Sequence, residues 1–249
     1  MPGRREAPTG GRAVAGRDAR VVGNGGSGTG GEARGDRGTG NAGSGVGGRG
    51  AWRGMLRGMG NGGGGAEWVG AVVRGAAPRA GRTRVVAVDG RSGAGKTSFA
   101  GVLAGGLGAP VVSLEDLYGG WDGLERGIEL LAREVLEPLA AGRTARVPRY
   151  DWVAGTWAAP VPLTPPDVLV VEGAGAGARR AAAFESVVVW LEAPASVRKK
   201  RALDRDGETF APYWDRWAAQ EDRMLARERT PERADVVIDG VTGTVLRRG

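Results

Sequence analysis

The sequence predicts an α/β fold built on a parallel sheet with helices on both faces. Five short apolar runs carry this reading: Arg84–Asp89, Pro110–Leu114, Val168–Glu172, Ser186–Leu191 and Ala234–Asp239. Stretches with helical periodicity separate them, at Lys96–Ala104, Leu124–Ala140, Pro194–Arg205 and Tyr213–Arg229. Short apolar strands alternating with helices imply parallel strands covered on both sides. The first run also leads directly into a glycine-rich turn and a helical pattern, a strand–loop–helix unit of the kind such sheets are made from.

Taken in chain order, residues 1–65 are low-complexity Gly, Arg, Ala, Ser and Asn without apolar periodicity. Such a segment cannot bury enough surface to offset its chain entropy, so it is expected to be disordered, with one folded domain over residues 66–249. More than half of the 48 glycines lie before Ala71, and the whole net charge of +7 lies before Gly81. The basic excess therefore belongs to the tail and says little about the folded part. An RGG-like RNA-binding tail is one reading, but Trp52 is the only aromatic residue before Trp68, and nucleic acid is not the expected partner. A plainer reading is that translation starts at Met55 or Met59. From Ala66 the pattern changes, and Trp68, Val69, Val72 and Val73 suggest a short amphipathic helix. Pro194 suits a helix's first turn, where a missing N–H costs nothing. The segment Arg146–Leu163, rich in Trp, Tyr, Val and Pro, reads as an inserted β-hairpin or an irregular flap.

Absences narrow the chemistry. The chain has no cysteine and no histidine, which removes disulfides, Ser-His and Cys-His catalysis and the usual zinc sites. Any general base is then a carboxylate or another non-histidine group. No apolar run is long enough to span a bilayer, and the N-terminus lacks a signal-peptide core, so a cytoplasmic protein is expected.

The motif with the most chemical content is Gly90-Arg91-Ser92-Gly93-Ala94-Gly95-Lys96-Thr97, followed by Ser98 at the start of a helix. This is the Walker A phosphate loop. Its glycines let backbone N–H groups wrap a polyphosphate, Lys96 places a charge on the β- and γ-phosphates, and the Thr97 hydroxyl can ligate Mg²⁺. The helix dipole adds to the same anion site. The chain has three lysines among its 35 basic residues, and one falls at the required place. Val168–Glu172 ends a second apolar strand in a carboxylate, the Walker B arrangement, which makes Glu172 a second metal-ligand candidate; the alternative is an ordinary exposed acid. Glu115 and Asp116 follow the run Pro110–Leu114, where ligands of parallel sheets gather. Either could take the proton from a substrate hydroxyl, or both could sit in a solvated turn. Arg201 and Arg205 share a helix face and could neutralise a transferring phosphoryl group, or pair with neighbouring aspartates on a solvated helix. Arg149, Tyr150 and Trp152, with Trp157 beyond, combine aromatic and polar groups suited to a flat ring, or form a small cluster under a loop.

Together Asp89–Thr97, Glu115–Tyr118, Tyr150–Trp152, Val171–Gly173 and Arg201–Asp206 resemble the uridine kinase and phosphoribulokinase group of P-loop kinases, over about Gly81 to Asp239. The resemblance implies a kinase-type P-loop NTPase fold with a helical lid and a small substrate-binding insertion. It also implies transfer of the γ-phosphate of ATP, with Mg²⁺, to the hydroxyl of a small-molecule acceptor, a nucleoside and foremost uridine. Alignment on Tyr118 puts Glu115 on the family's catalytic base, with Asp116 beside it. Asp122 most resembles the ribose-binding aspartate, and Tyr150-Asp151-Trp152 the segment that lines the nucleoside site. A histidine that usually follows is missing, which weakens the case for uridine or cytidine. The rivals are a kinase for another metabolite (a sugar, pantothenate or a nucleotide) and a non-kinase nucleotide-binding switch. No asparagine occurs after Asn61, so the Asn-Lys-x-Asp guanine motif of GTPases is absent.

Overall fold

The computed structural model describes residues 64–249. The expectations of a disordered tail and of a start at Met55 or Met59 fall on residues outside this range.

Six strands form the main sheet, in the order β2 (Val111–Ser113), β5 (Val168–Glu172), β1 (Arg84–Gly90), β6 (Glu185–Glu192), β7 (Val236–Asp239), β8 (Val245–Arg248). The first five run parallel, and β8 pairs antiparallel with β7 at the edge. All five expected strands are present. β8 is an addition whose Val-Leu-Arg-Arg sequence has neither alternation nor a long apolar run to announce it.

Residues alternate across the central strands and divide the core in two. Val85 and Ala87 of β1, with Leu169, Val171, Val188 and Trp190, face one side. That side is covered by α3 (Leu124–Leu130), its continuation through Leu136 to α4 (Glu137–Ala140), and α6 (Trp214–Glu228). Val86 and Val88, with Val170, Val187, Val189 and Leu191, face the other side, under α1 (Gly65–Gly75) and α2 (Lys96–Leu107). This two-residue period under helices on both faces explains why the strands read as apolar throughout. In α1, Trp68, Val69, Val72 and Val73 are all buried, as their spacing predicts.

The helical run Leu124–Ala140 differs from expectation in its middle. Leu131–Leu136 is π-helical. Pro138 offers a physical reason: it has no N–H for the Glu134 carbonyl and its ring crowds that turn, and a wider turn relieves both. Arg146–Leu163 resolves as a hairpin of β3 (Ala145–Asp151) and β4 (Thr156–Leu163), a two-stranded sheet of its own. Asp151 Oδ1 accepts the N–H groups of Val153 and Ala154 at 2.9 Å each, which ties the turn. The ladder shifts register between Val147 and Arg149, at Pro148, which cannot donate to it. Downstream of β6, α5 (Ala195–Asp206) leads through short turns to α6, and α7 (Thr230–Arg233) precedes β7. No helix among the described residues is long and apolar enough to cross a membrane.

Candidate active site

The site is built at the carboxyl ends of β1, β5 and β2. The chain leaves β1 at Gly90, turns through Arg91–Gly95 and enters α2 at Lys96. Gly93 and Gly95 adopt φ of 78° and 99°, which side chains other than glycine resist. A Cβ on Gly93 would also strike the Arg198 carbonyl. No side chain caps the start of α2. The first N–H groups of a helix have no partner within it, so those of Lys96, Thr97 and Ser98 are directed to the loop's interior, the geometry of an anion site. Lys96 Nζ donates to the Arg91 carbonyl at 3.0 Å, folding the ammonium over the same loop.

Asp89 fixes where the loop starts. Its Oδ1 accepts the N–H groups of Gly90 at 2.7 Å and Gly175 at 2.9 Å, and its Oδ2 that of Gly177 at 3.0 Å. Burial pushes its carboxyl up to about 6, against the pull of those three N–H groups and of Lys96.

Across the loop stands Glu172, 2 % exposed. Thr97 Oγ1 donates to its Oε2 at 3.4 Å, and Ser113 Oγ donates to its Oε1 at 2.6 Å. Burial raises the Glu172 carboxyl above the usual carboxylate range, Glu115 adds to this, and Lys96, Ser113 and Thr97 oppose it. One hydroxyl and one carboxylate in contact are hard oxygen donors that fit Mg²⁺, an ion that keeps several of its waters. No group of three or more potential metal-ligating Asp or Glu side chains gathers among the described residues, as an all-protein cage for a larger ion would need.

Ser113 also caps the 3₁₀ turn Leu114–Asp116, its Oγ accepting the Glu115 N–H at 3.3 Å. The two acids of that turn part company. Glu115 is exposed and lies 3.6 Å from the Arg205 guanidinium. Asp116 is raised by burial, with Arg149 pulling it down and Glu115 pushing it up. Tyr118 behind them is buried, its hydroxyl donating to the Ala174 carbonyl at 2.9 Å. The hairpin closes on this turn: Trp152 Nε1 donates to the Glu115 carbonyl at 3.0 Å, and Tyr150 meets Trp152 and Trp157 edge-on.

The segment expected to form the lid is folded over the same region. Arg201 donates to the Gly240 carbonyl at 2.8 Å, while Arg205 donates to both carboxylate oxygens of Asp206 besides facing Glu115. Trp121 stacks on Tyr213 (4.7 Å, 8°) and on Phe210 (5.1 Å, 12°). Asp122 is drawn elsewhere. It is 67 % exposed, paired with Arg216, and lines a cleft of about 430 Å³ with Glu125, Gln220 and Arg223. A second cleft, about 290 Å³, lies between α3 and the hairpin beside Trp157. No phosphate-loop residue lines either one.

The structure thus brings together the Gly90–Ser98 loop, Glu172, Glu115, Asp116, Tyr118, Arg149, Tyr150, Trp152 and Arg205. Arg201 lies near Gly95, and Asp122 stands apart. Three residues escaped the sequence reading of roles. Asp89 was visible as an acid ending an apolar strand. Ser113 was visible as a hydroxyl before two acids. Glu221, which accepts the Ser92 N–H, carries no local signal.

No family model matches the sequence, and no curated protein matches it. Solved structures do. A possible uridine kinase from Bacillus stearothermophilus matches with a TM-score of 0.53 and 24 % identity, over 70 % of this chain and 97 % of its own. The fold is that of a P-loop kinase. A protein provisionally named fructose transport system kinase, from Silicibacter sp. TM1040, matches with a TM-score of 0.48 and 22 % identity, over 68 % of this chain and 94 % of its own. In the P-loop kinase fold the parallel sheet, the loop after β1 and the helices on both faces correspond to what the sequence predicts.

Proposed function

We propose that this protein is an ATP-dependent kinase that transfers the γ-phosphate to a hydroxyl of a small molecule, a nucleoside such as uridine being the leading acceptor. One observation carries the reading. An uncapped helix start, Lys96, the Thr97–Glu172 pair and the turn bearing Glu115 and Asp116 converge on the same end of the sheet. This supplies a triphosphate cradle, a metal site and a base side by side.

The loop amides and Lys96 hold the triphosphate, and Thr97 and Glu172 hold Mg²⁺ when it is bound. That ion supplies charge neutralisation on the phosphate oxygens. Glu115 or Asp116 takes the proton of the attacking hydroxyl. Burial raises the Asp116 carboxyl, which favours its taking a proton, whereas Glu115 is the more exposed of the two. Arg205 stands ready to shift from Glu115 toward the transferring group. Arg149, Tyr150 and Trp152 wall the acceptor side. Phosphoryl transfer then proceeds by positioning and electrostatics, without a covalent intermediate.

A second reading within the same chemistry, another metabolite as acceptor, is favoured by Asp122. Its pairing with Arg216 in a cleft without phosphate-loop residues is not what a ribose-binding carboxylate needs. The test is transfer from γ-labelled ATP to a panel of nucleosides, sugars, pantothenate and nucleotides. Labelled uridine or cytidine monophosphate is the expected product. Transfer to a non-nucleoside with none to nucleosides replaces the acceptor, and absence of any Mg²⁺-dependent nucleotide binding removes the kinase reading.

A further inference from the structure

The front of the phosphate loop is held by a carboxylate that phosphoryl transfer itself does not call for. Glu221, on α6, is 1 % exposed. Its Oε1 accepts the Ser92 N–H at 2.8 Å, the Ser92 hydroxyl at 2.8 Å and the Trp217 indole N–H at 3.1 Å. Its Oε2 receives Arg91 Nε at 3.4 Å, and Arg91 reaches on to Asp222 at 2.5 Å. A carboxyl group buried this far needs partners for its lone pairs, and here both oxygens have them. Charge-assisted bonds of this kind are also directional, so Ser92 is fixed in position and in rotamer, where an apolar contact would let the loop slide.

The same carboxylate oxygen orients Trp217. That indole meets Tyr118 edge-on at 4.8 Å and Trp121 at 6.4 Å. Tyr118 lies two residues beyond Asp116. α6 therefore touches the nucleotide side of the site through Glu221 and the acceptor side through Trp217, and one carboxylate joins the two.

We propose that Glu221 is a positioning residue that sets the phosphate loop at a fixed distance from the turn carrying Glu115 and Asp116. The proposal rests on the kinase reading above. In-line transfer depends on sub-ångström placement of the two reactants, so loss of this tie lowers turnover more than it weakens binding.

The test uses the full chain and the variants Glu221→Ala, Glu221→Gln and Trp217→Phe. Three readouts are taken: ADP release from ATP, calorimetry with Mg²⁺ and a non-hydrolysable ATP analogue, and amide hydrogen exchange. In Glu221→Ala, kcat is expected to fall about tenfold or more while KM for ATP moves less than about threefold. Exchange should quicken in residues 114–121 as well as in 90–97. Glu221→Gln keeps an acceptor for Ser92 and Trp217 and should recover much of the turnover. Trp217→Phe keeps the ring but not the N–H and should fall between, which serves if the alanine variant does not fold. Unchanged kcat, a loss carried entirely by KM, or faster exchange confined to 90–97 would overturn the proposal. A wild-type protein that took up no Mg²⁺–nucleotide would instead remove the kinase reading, and exchange in 114–121 would still decide whether the tie exists.

Discussion

Lys96 and Asp89 sit at opposite ends of the phosphate loop and fail in different ways when changed. Lys96 brings the one cation that folds over the loop from within it, through the Arg91 carbonyl. Lys96→Ala is expected to cut turnover about a hundredfold or more while leaving thermal stability near wild type, since it removes charge stabilisation without a packing change. Parallel kinetics and melting curves check this. Asp89 is a matter of pH. Burial holds its carboxyl up at about 6, above the ordinary 3.8, so the folded protein binds this proton more tightly than the unfolded chain. The stabilisation is complete below the unfolded value and is lost as pH rises through the folded one. Asp89→Asn cannot titrate. The stability difference, wild type minus variant, should therefore shrink by about 2 kcal/mol between pH 4.5 and pH 7 in urea unfolding. A difference that grew with pH would reverse the assignment.

At the scale of elements, the helices end where backbone conformation dictates. α6 closes on Arg229 at φ 52°, the one non-glycine residue with positive φ among the described residues, its N–H donating to the Leu225 carbonyl. Glycine suits this left-handed cap. The exposed pairing of Arg229 with Glu232 at 3.6 Å adds little. Arg229→Gly should raise stability by about 1 kcal/mol, offset in part by chain entropy, with activity unchanged. Denaturant midpoints at a constant slope test it. What could be read before the structure follows the same divide between local and distant. The strand ends at Asp89 and Glu172 and the glycine spacing from Gly90 to Gly95 are properties of consecutive residues, and they were legible. The π-helical turn at Leu131–Leu136 was not, because its cause, Pro138, looks like an ordinary late helix position. Nor was β8, whose four residues pair only because β7 leaves an edge.

At the scale of the whole molecule, what was illegible joins residues far apart in the chain. Glu221 meets Ser92 across 129 positions, and Ser113 meets Glu172 across 59. No periodicity encodes such meetings; the adjacency of β2 and β5 sets the second, and the packing of α6 on the sheet sets the first. Asp122 is the converse case. Its resemblance to a ribose ligand is local, and its partner Arg216 is set by α6. The folded unit accounts for every element of the proposed chemistry, and all of them lie beyond residue 64. Deletion of residues 1–54 should therefore leave Mg²⁺–nucleotide affinity within about twofold of the full chain, because none of the groups proposed to bind nucleotide or metal is removed. A larger loss by calorimetry would bring the tail into the mechanism.

The sandwiching of one indole has a practical corollary. Trp121 touches Tyr213 and Phe210, which lie between α5 and α6. Any swing of that connection away from the sheet must unstack an emitter from these two rings and wet it. Intrinsic emission, read as the difference between the native chain and Trp121→Phe, should then shift to the red with the opening and return with Mg²⁺–nucleotide, giving a label-free stopwatch for the lid.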